Sequence, residues 1–166
     1  MTRIPFIYNE CEKFSGADLN LIYKLVEGDS KGVNVAGLAN IIRENSKGMN
    51  ISVGANYIGK NSKGMNVGGL ANIIEKDSRG ANLAGLFNYA GKVDDFLIQY
   101  GTIGNTIREV SEEAFVLQVG AYNKIGGRAY PIINIKGLKN LSRLIKNAFK
   151  KKNLEKKVLK VKVKKY

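Results

Sequence analysis

A glycine returns every sixteen residues, at Gly16, Gly32, Gly48, Gly64 and Gly80. Two asparagines return with it: Asn34, Asn50, Asn66 and Asn82 form one set, and Asn40, Asn56, Asn72 and Asn88 the other. Self-similarity at a fixed period marks a repeat architecture, in which each copy buries its apolar surface only against its neighbours. The first copy, "SGADLNLIYKLVEG", carries Asp18 where later copies have Asn. After Lys92 the pattern drifts through "GTIGN" and "GAYN".

Within a copy the residues alternate. Val33, Val35, Gly37, Ala39 and Ile41 share one face, and Asn34, Ala36, Leu38, Asn40 and Ile42 share the other. This period of two, rich in Val and Ile, reads as a β-strand. The polar clusters "RENSK", "GKNSK" and "EKDSR" interrupt it once per copy. A β-solenoid coil needs at least two corners, so one cluster of turn residues per copy predicts an antiparallel up-and-down meander. The unit is also nearly palindromic about Gly37. Folding about Asn45, Asn61 and Asp77 sets Asn34 opposite Asn56, Asn50 opposite Asn72 and Asn66 opposite Asn88. The eight repeated asparagines are then expected to form two structural ladders on one face, fixing register through amide hydrogen bonds. A sheet apolar on both faces is expected to curl into a barrel or barrel-like sheet. A flatter sheet that self-associates through its faces is the rival arrangement.

Beyond the repeat, "FLIQYGTIGNTI" and "AFVLQVGAYNKI" read as further strands, and Gly126-Gly127 as a hairpin turn leading into "AYPIINI". Leu138, Leu141, Leu144, Ile145, Ala148 and Phe149 then fall at helical spacing, which predicts an amphipathic helix, and "KVLKVKVKKY" predicts a last strand. The chain is thus expected to comprise a β-repeat body over 1–135 and a basic appendage over 136–166. Of the net charge of +13, the appendage supplies nearly all, with 13 Lys+Arg against the single acid Glu155. No run of about 18 apolar residues occurs, and "MTRIPFIYNECEKF" lacks the apolar core of a secretory signal, so the expected location is cytoplasmic or peripheral at a membrane.

The unit in "GMNVGGLANII" and "GANLAGLFNYA" resembles bacterial surface-repeat proteins that iterate Gly-Leu-x-Asn strand motifs, over about residues 29–92. That resemblance implies a β architecture and no particular activity. "RGANLAGL" is also similar to pentapeptide repeats, but those advance in fives, and sixteen is not a multiple of five.

Catalytic chemistry is hard to build from these residues. Histidine is absent and Cys11 is the only cysteine, which excludes His-dependent triads, an internal disulfide and the usual Cys/His zinc sites. The pairs Asp94-Asp95 and Glu112-Glu113 read as solvated turn residues, since adjacent strand positions point to opposite faces. No catalytic residue, metal or cofactor is therefore expected. The chain reads as a non-enzymatic scaffold or binding protein. Its expected partner is an anionic membrane surface engaged through Lys146, Lys150, Lys151, Lys152, Lys156 and Lys157. Sequence-independent binding to a nucleic-acid backbone is a second reading. A membrane-spanning β-barrel is a third, because the expected strands are long enough to cross a bilayer.

Overall fold

The computed structural model describes residues 2–3 and 8–140, and of its strands those of the repeat do not double back on one another. There are fifteen: β1 (Thr2–Arg3), β2 (Tyr8–Cys11), β3 (Phe14–Asn20), β4 (Tyr23–Val26), β5 (Ser30–Ala36), β6 (Ala39–Ile42), β7 (Ser46–Ser52), β8 (Ala55–Ile58), β9 (Ser62–Gly68), β10 (Ala71–Ala84), β11 (Phe87–Val93), β12 (Phe96–Gly101), β13 (Gly104–Val110), β14 (Phe115–Ile125) and β15 (Arg128–Lys136). Every pairing among β1–β14 is parallel and joins one copy to the next. The fold is a β-solenoid, not an antiparallel meander and not a barrel.

Each sixteen-residue copy makes one flattened coil with two strands. The first, such as β5, is long, and the second, such as β6, is short. The polar cluster around Asn45 makes one corner, and Gly37-Leu38 makes the other. That second corner was the feature hidden in the sequence, because a bend within a coil needs no reversal of direction and no cluster of turn residues. Stacked long strands form one face of the solenoid, and stacked short strands form the other. Asn34 therefore pairs in register with Asn50, and Asn40 with Asn56. The expected facing of Asn34 and Asn56 does not occur. The hairpin at Gly126-Gly127 does: β15 runs back antiparallel along β14 and ends the stack. Of the expected C-terminal helix, a single turn at 138–140 is described, and the rest lies outside the described residues together with the expected last strand.

The alternation placed nearly every side chain on its correct face. Ser30, Asn34, Ala36, Asn40 and Ile42 point inward, and Val33, Val35, Ala39 and Ile41 outward; only Leu38 departs, standing exposed at the corner. Ile42, Ile58 and Ile74 continue the column of Val26 in one apolar core cluster, and Leu97, Ile107 and Val116 anchor a second. Between them the interior is polar, and its amides are joined along the axis. Asn34 Nδ2 donates to Asn50 Oδ1 at 2.7 Å, Asn50 to Asn66 at 2.7 Å, and Asn66 to Asn82 at 2.8 Å. The second row runs from Asn40 through Asn56, Asn72, Asn88 and Asn105 to Asn123, at 2.8–2.9 Å.

The other amide hydrogen is used within the coil in the first row and on the main chain of the next coil in the second. In the first row Asn50, Asn66 and Asn82 donate to the hydroxyls of Ser46, Ser62 and Ser78. In the second row Asn40, Asn56 and Asn72 donate to the main-chain oxygens of Ile51, Val67 and Leu83. A polar group buried without a partner costs roughly 1–3 kcal/mol, so the ladders are a condition of burying these side chains at all. From Gln99 onward the first row reverses, with Asn134 donating to Gln118 and Gln118 to Gln99, where the coils lengthen beyond sixteen residues.

The repeated glycine has a backbone cause. Gly32, Gly48, Gly64 and Gly80 adopt φ of 115–139°, where L side chains are strained, and a Cβ on any of them would lie 1.9–2.0 Å from the carbonyl oxygen of the glycine one coil below.

Both rows begin on a buried ion pair. Asp18 occupies the first-row position and Lys24 the second-row position, with Lys24 Nζ 2.8 Å from Asp18 Oδ2 and both side chains fully buried. Lys24 also donates to Asn34 Oδ1 at 2.7 Å and lies over the Phe14 ring, while Asn9 donates to Asp18 at 2.7 Å. Burial alone would raise the Asp18 carboxyl, but the hydrogen bond and charge of Lys24 outweigh it and hold it below its ordinary value. Such a depressed carboxyl stabilises the fold above its unfolded pKa, and that stabilisation is lost as pH falls through the folded value. Urea midpoints are therefore expected to drop on acidification below the ordinary carboxyl value of 3.8. Asp18→Asn alone strands a buried ammonium and should cost about 3–5 kcal/mol. The double variant D18N/K24N, which extends both asparagine rows by one coil, should recover most of that loss and flatten the acid response. Gly64→Ala, measured the same way, should lose at least about 1–3 kcal/mol.

Candidate functional surface: an apolar edge and a lysine row

The two corners of the coil carry opposite chemistry. Along the second corner, Ile22, Leu38, Leu70, Leu86 and Ile103 stack one coil after another through main-chain hydrogen bonds, and Val53 stands beside Gly54 in the remaining coil. All are exposed: Leu38 by 59%, Leu70 by 53%, Val53 by 72% and Ile103 by 59%. Coils in a parallel stack are about 4.8 Å apart, so the ridge from Ile22 to Ile103 is about 24 Å long. Apolar outward positions flank it on both sides. Val35, Ile51, Val67 and Leu83 lie on the long-strand face, and Ala39, Ala55 and Phe87 on the short-strand face. Exposed tyrosines border the same band, at Tyr23, Tyr57, Tyr100 and Tyr122. An exposed apolar band this continuous is uncommon on a monomeric soluble protein and marks a contact surface.

The first corner is polar. Here Asp29, Asn45, Asn61, Asp77 and Asp94 form a third, surface ladder. Asn45 donates its main-chain N–H and Nδ2 to Asp29 Oδ1, Asn61 does the same to Asn45, and Asp77 and Asp94 continue through their main-chain N–H groups. The Ser111 hydroxyl closes the ladder on Asp94. Asn45 holds the Asp29 carboxyl below its ordinary value, whereas burial pushes Asp77 up.

Beside this ladder Lys31, Lys47 and Lys63 occupy one register position on β5, β7 and β9. They are exposed, and none forms an ion pair among the described residues. Arg79 follows in the same row on β10 but is tied to Asp95 at 2.8 Å. Two other basic side chains on the coils are likewise matched, Arg43 with Glu27 and Lys60 with Glu44. A cavity of about 260 Å³ lies along the row, lined by Lys31, Lys47, Lys63, Asn45 and Asn61 with Asp29 at its end.

The residues singled out in the sequence fall into four groups. The eight asparagines are brought together as structural ladders, in rows different from those expected. Cys11 is half-buried against the apolar core. The six lysines from Lys146 to Lys157 lie outside the described residues. Asp94-Asp95 and Glu112-Glu113 sit at bends between strands. The apolar ridge and the lysine row were missed, although both are periodic in the sequence. Leu38, Leu70 and Leu86 follow a glycine, and Lys31, Lys47, Lys63 and Arg79 precede one, each at its own fixed place in the copy.

No helix among the described residues is long and apolar enough to cross a membrane. Comparison with known proteins finds no matching family model, no matching curated protein and no matching solved structure. Because Leu38 and Leu70 are more than half exposed, Leu38→Ser and Leu70→Ser should each change unfolding free energy by less than about 0.5 kcal/mol in urea titrations. A larger loss would make the ridge part of the fold's own packing.

Proposed function

We propose that the chain is a non-enzymatic β-solenoid scaffold that attaches to an anionic lipid surface through its apolar edge. The observation that carries this reading is the ridge of exposed Leu, Ile and Val along one corner, bridged by Val53 where Gly54 takes the ridge position, with exposed tyrosines in and beside its flanking columns. Tyrosine is favoured where an apolar ring and a polar tip meet the headgroup layer, so the band has the layout of an interfacial element. Main-chain groups along the ridge are already bonded between coils, so the edge enters the interface without exposing unpaired amides. The lysines of the C-terminal segment, Lys146, Lys150, Lys151, Lys152, Lys156 and Lys157, would add about 1 kcal/mol each near an anionic leaflet. The same lysines leave nucleic-acid backbone as the competing partner.

Sedimentation with vesicles of phosphatidylcholine and phosphatidylglycerol tests the proposal. The parent should bind the anionic vesicles, and the triple variant L38S/L70S/L86S should bind at least tenfold more weakly, each leucine forfeiting up to about 1.5–3 kcal/mol of burial. Changing the six tail lysines to Gln should weaken binding and flatten its salt dependence. Equal vesicle binding by the parent and the leucine variant would refute the edge as the contact, and tighter binding to poly(U) than to vesicles would refute the lipid partner.

A further inference from the structure

We propose that the groove beside Lys31, Lys47 and Lys63 is a second binding site, for a linear acidic polysaccharide whose sugar rings each carry a carboxylate. The site is separate from the apolar edge and does not depend on it, since the two occupy opposite corners of the coil.

The groove crosses three coils, so a ligand filling it runs along the solenoid axis. In-register pairing puts the lysines one coil apart, at intervals of about 4.8 Å. An extended polyuronate carries one carboxylate per ring, turned to different sides from ring to ring, so a chain lying in the groove brings a single line of negative charge along the lysine row. Duplex DNA presents a phosphate every 3.4 Å or so along each strand, which falls out of step within three positions. A bilayer presents headgroups in two dimensions, whereas three cations in single file along a groove match one row of charge.

The wall of the groove suits a hydroxyl-rich chain. Asn45 and Asn61 each spend one amide hydrogen on the preceding side chain of the ladder, and the second is left for a ligand oxygen. On the other side of the lysines, Val33, Met49 and Met65 offer apolar contact for the C–H faces of sugar rings.

Charge sets the limits of the site. Asp29 is near enough to Lys31, and Asp77 to Lys63, for their charges to interact, so the positive potential is greatest at Lys47, flanked by neutral Asn45 and Asn61. Beyond Lys63 the row ends in the neutralised Arg79 and then Phe96. Three coils, with three unpaired cations, make up the binding length.

Calorimetric titration of the full chain with polygalacturonate is the test, with poly(U) and phosphatidylglycerol vesicles as parallel titrants. The parent should bind polygalacturonate with an affinity that falls with salt, and removing the three groove lysines should flatten the log–log slope by about 2, as for about three neutralised cations at the single-strand coefficient. K31Q/K47Q/K63Q should lower that affinity at least tenfold. N45D/N61D should do the same, with its fold verified by urea titration, because it stacks carboxylates at four successive positions from Asp29 to Asp77 and removes the Nδ2 hydrogen bonds of Asn45 and Asn61. L38S/L70S/L86S should leave polygalacturonate binding unchanged. The proposal is overturned if the lysine variant or the Asn45/Asn61 variant binds polygalacturonate as the parent does. It is equally overturned if the same three lysines prefer poly(U) or the vesicles.

Discussion

A primary amide sealed inside a protein must find partners for two hydrogens and an oxygen, and this molecule meets that demand by stacking one amide on the next. The axial bond between Nδ2 and Oδ1 is short only when successive coils superpose in register, about 4.8 Å apart. Apolar columns alone tolerate slippage, because an isoleucine displaced along its column meets another isoleucine. An asparagine displaced by one position meets a valine and forfeits its hydrogen bonds. The amide rows thus fix the register, and the Ile column supplies non-directional attraction. The positive-φ glycines add a steric rule of their own, since a Cβ on any of them would collide with the carbonyl oxygen of the coil below.

Much of this was legible in the residues, and the reason for the failure is specific. The period, the inward and outward parity of Val33 to Ile42, the existence of two asparagine rows and the hairpin after Ile125 all follow from pattern. Strand direction does not. Period-two alternation reads the same for parallel and antiparallel neighbours, and the near-palindrome about Gly37 made the antiparallel pairing self-consistent. The deciding feature was a corner at Gly37-Leu38 without turn residues, and Leu38 there reads as a buried strand position when it is a solvent-facing tip. The lysine row was hidden for a related reason. Its members sit inside segments that look like turns, where charge is ordinary, and only parallel stacking brings them side by side.

Parallel stacking also explains why the surface is so sharply divided. A position in the copy becomes a line on the molecule, so a preference that is weak in one coil, a Leu here or a Lys there, accumulates into a continuous edge or row. The buried pair of Asp18 and Lys24 belongs to the same logic. These residues occupy the two asparagine columns in the first full coil, where Lys24 pairs with Asp18 and starts the first row by donating to Asn34, and Asn9 donates to Asp18.

The uniformity of the coils between Ser30 and Val93 bears on how such a chain changes in length. Every contact there reaches only the adjacent coil, and each coil offers its successor the same lattice of donors, acceptors and glycine notches that it received. Duplication or loss of one sixteen-residue segment would leave every junction chemically identical to the old one. Gene-level tandem expansion would then act as a ruler, lengthening both margins of the molecule in whole increments without asking the interior to be redesigned.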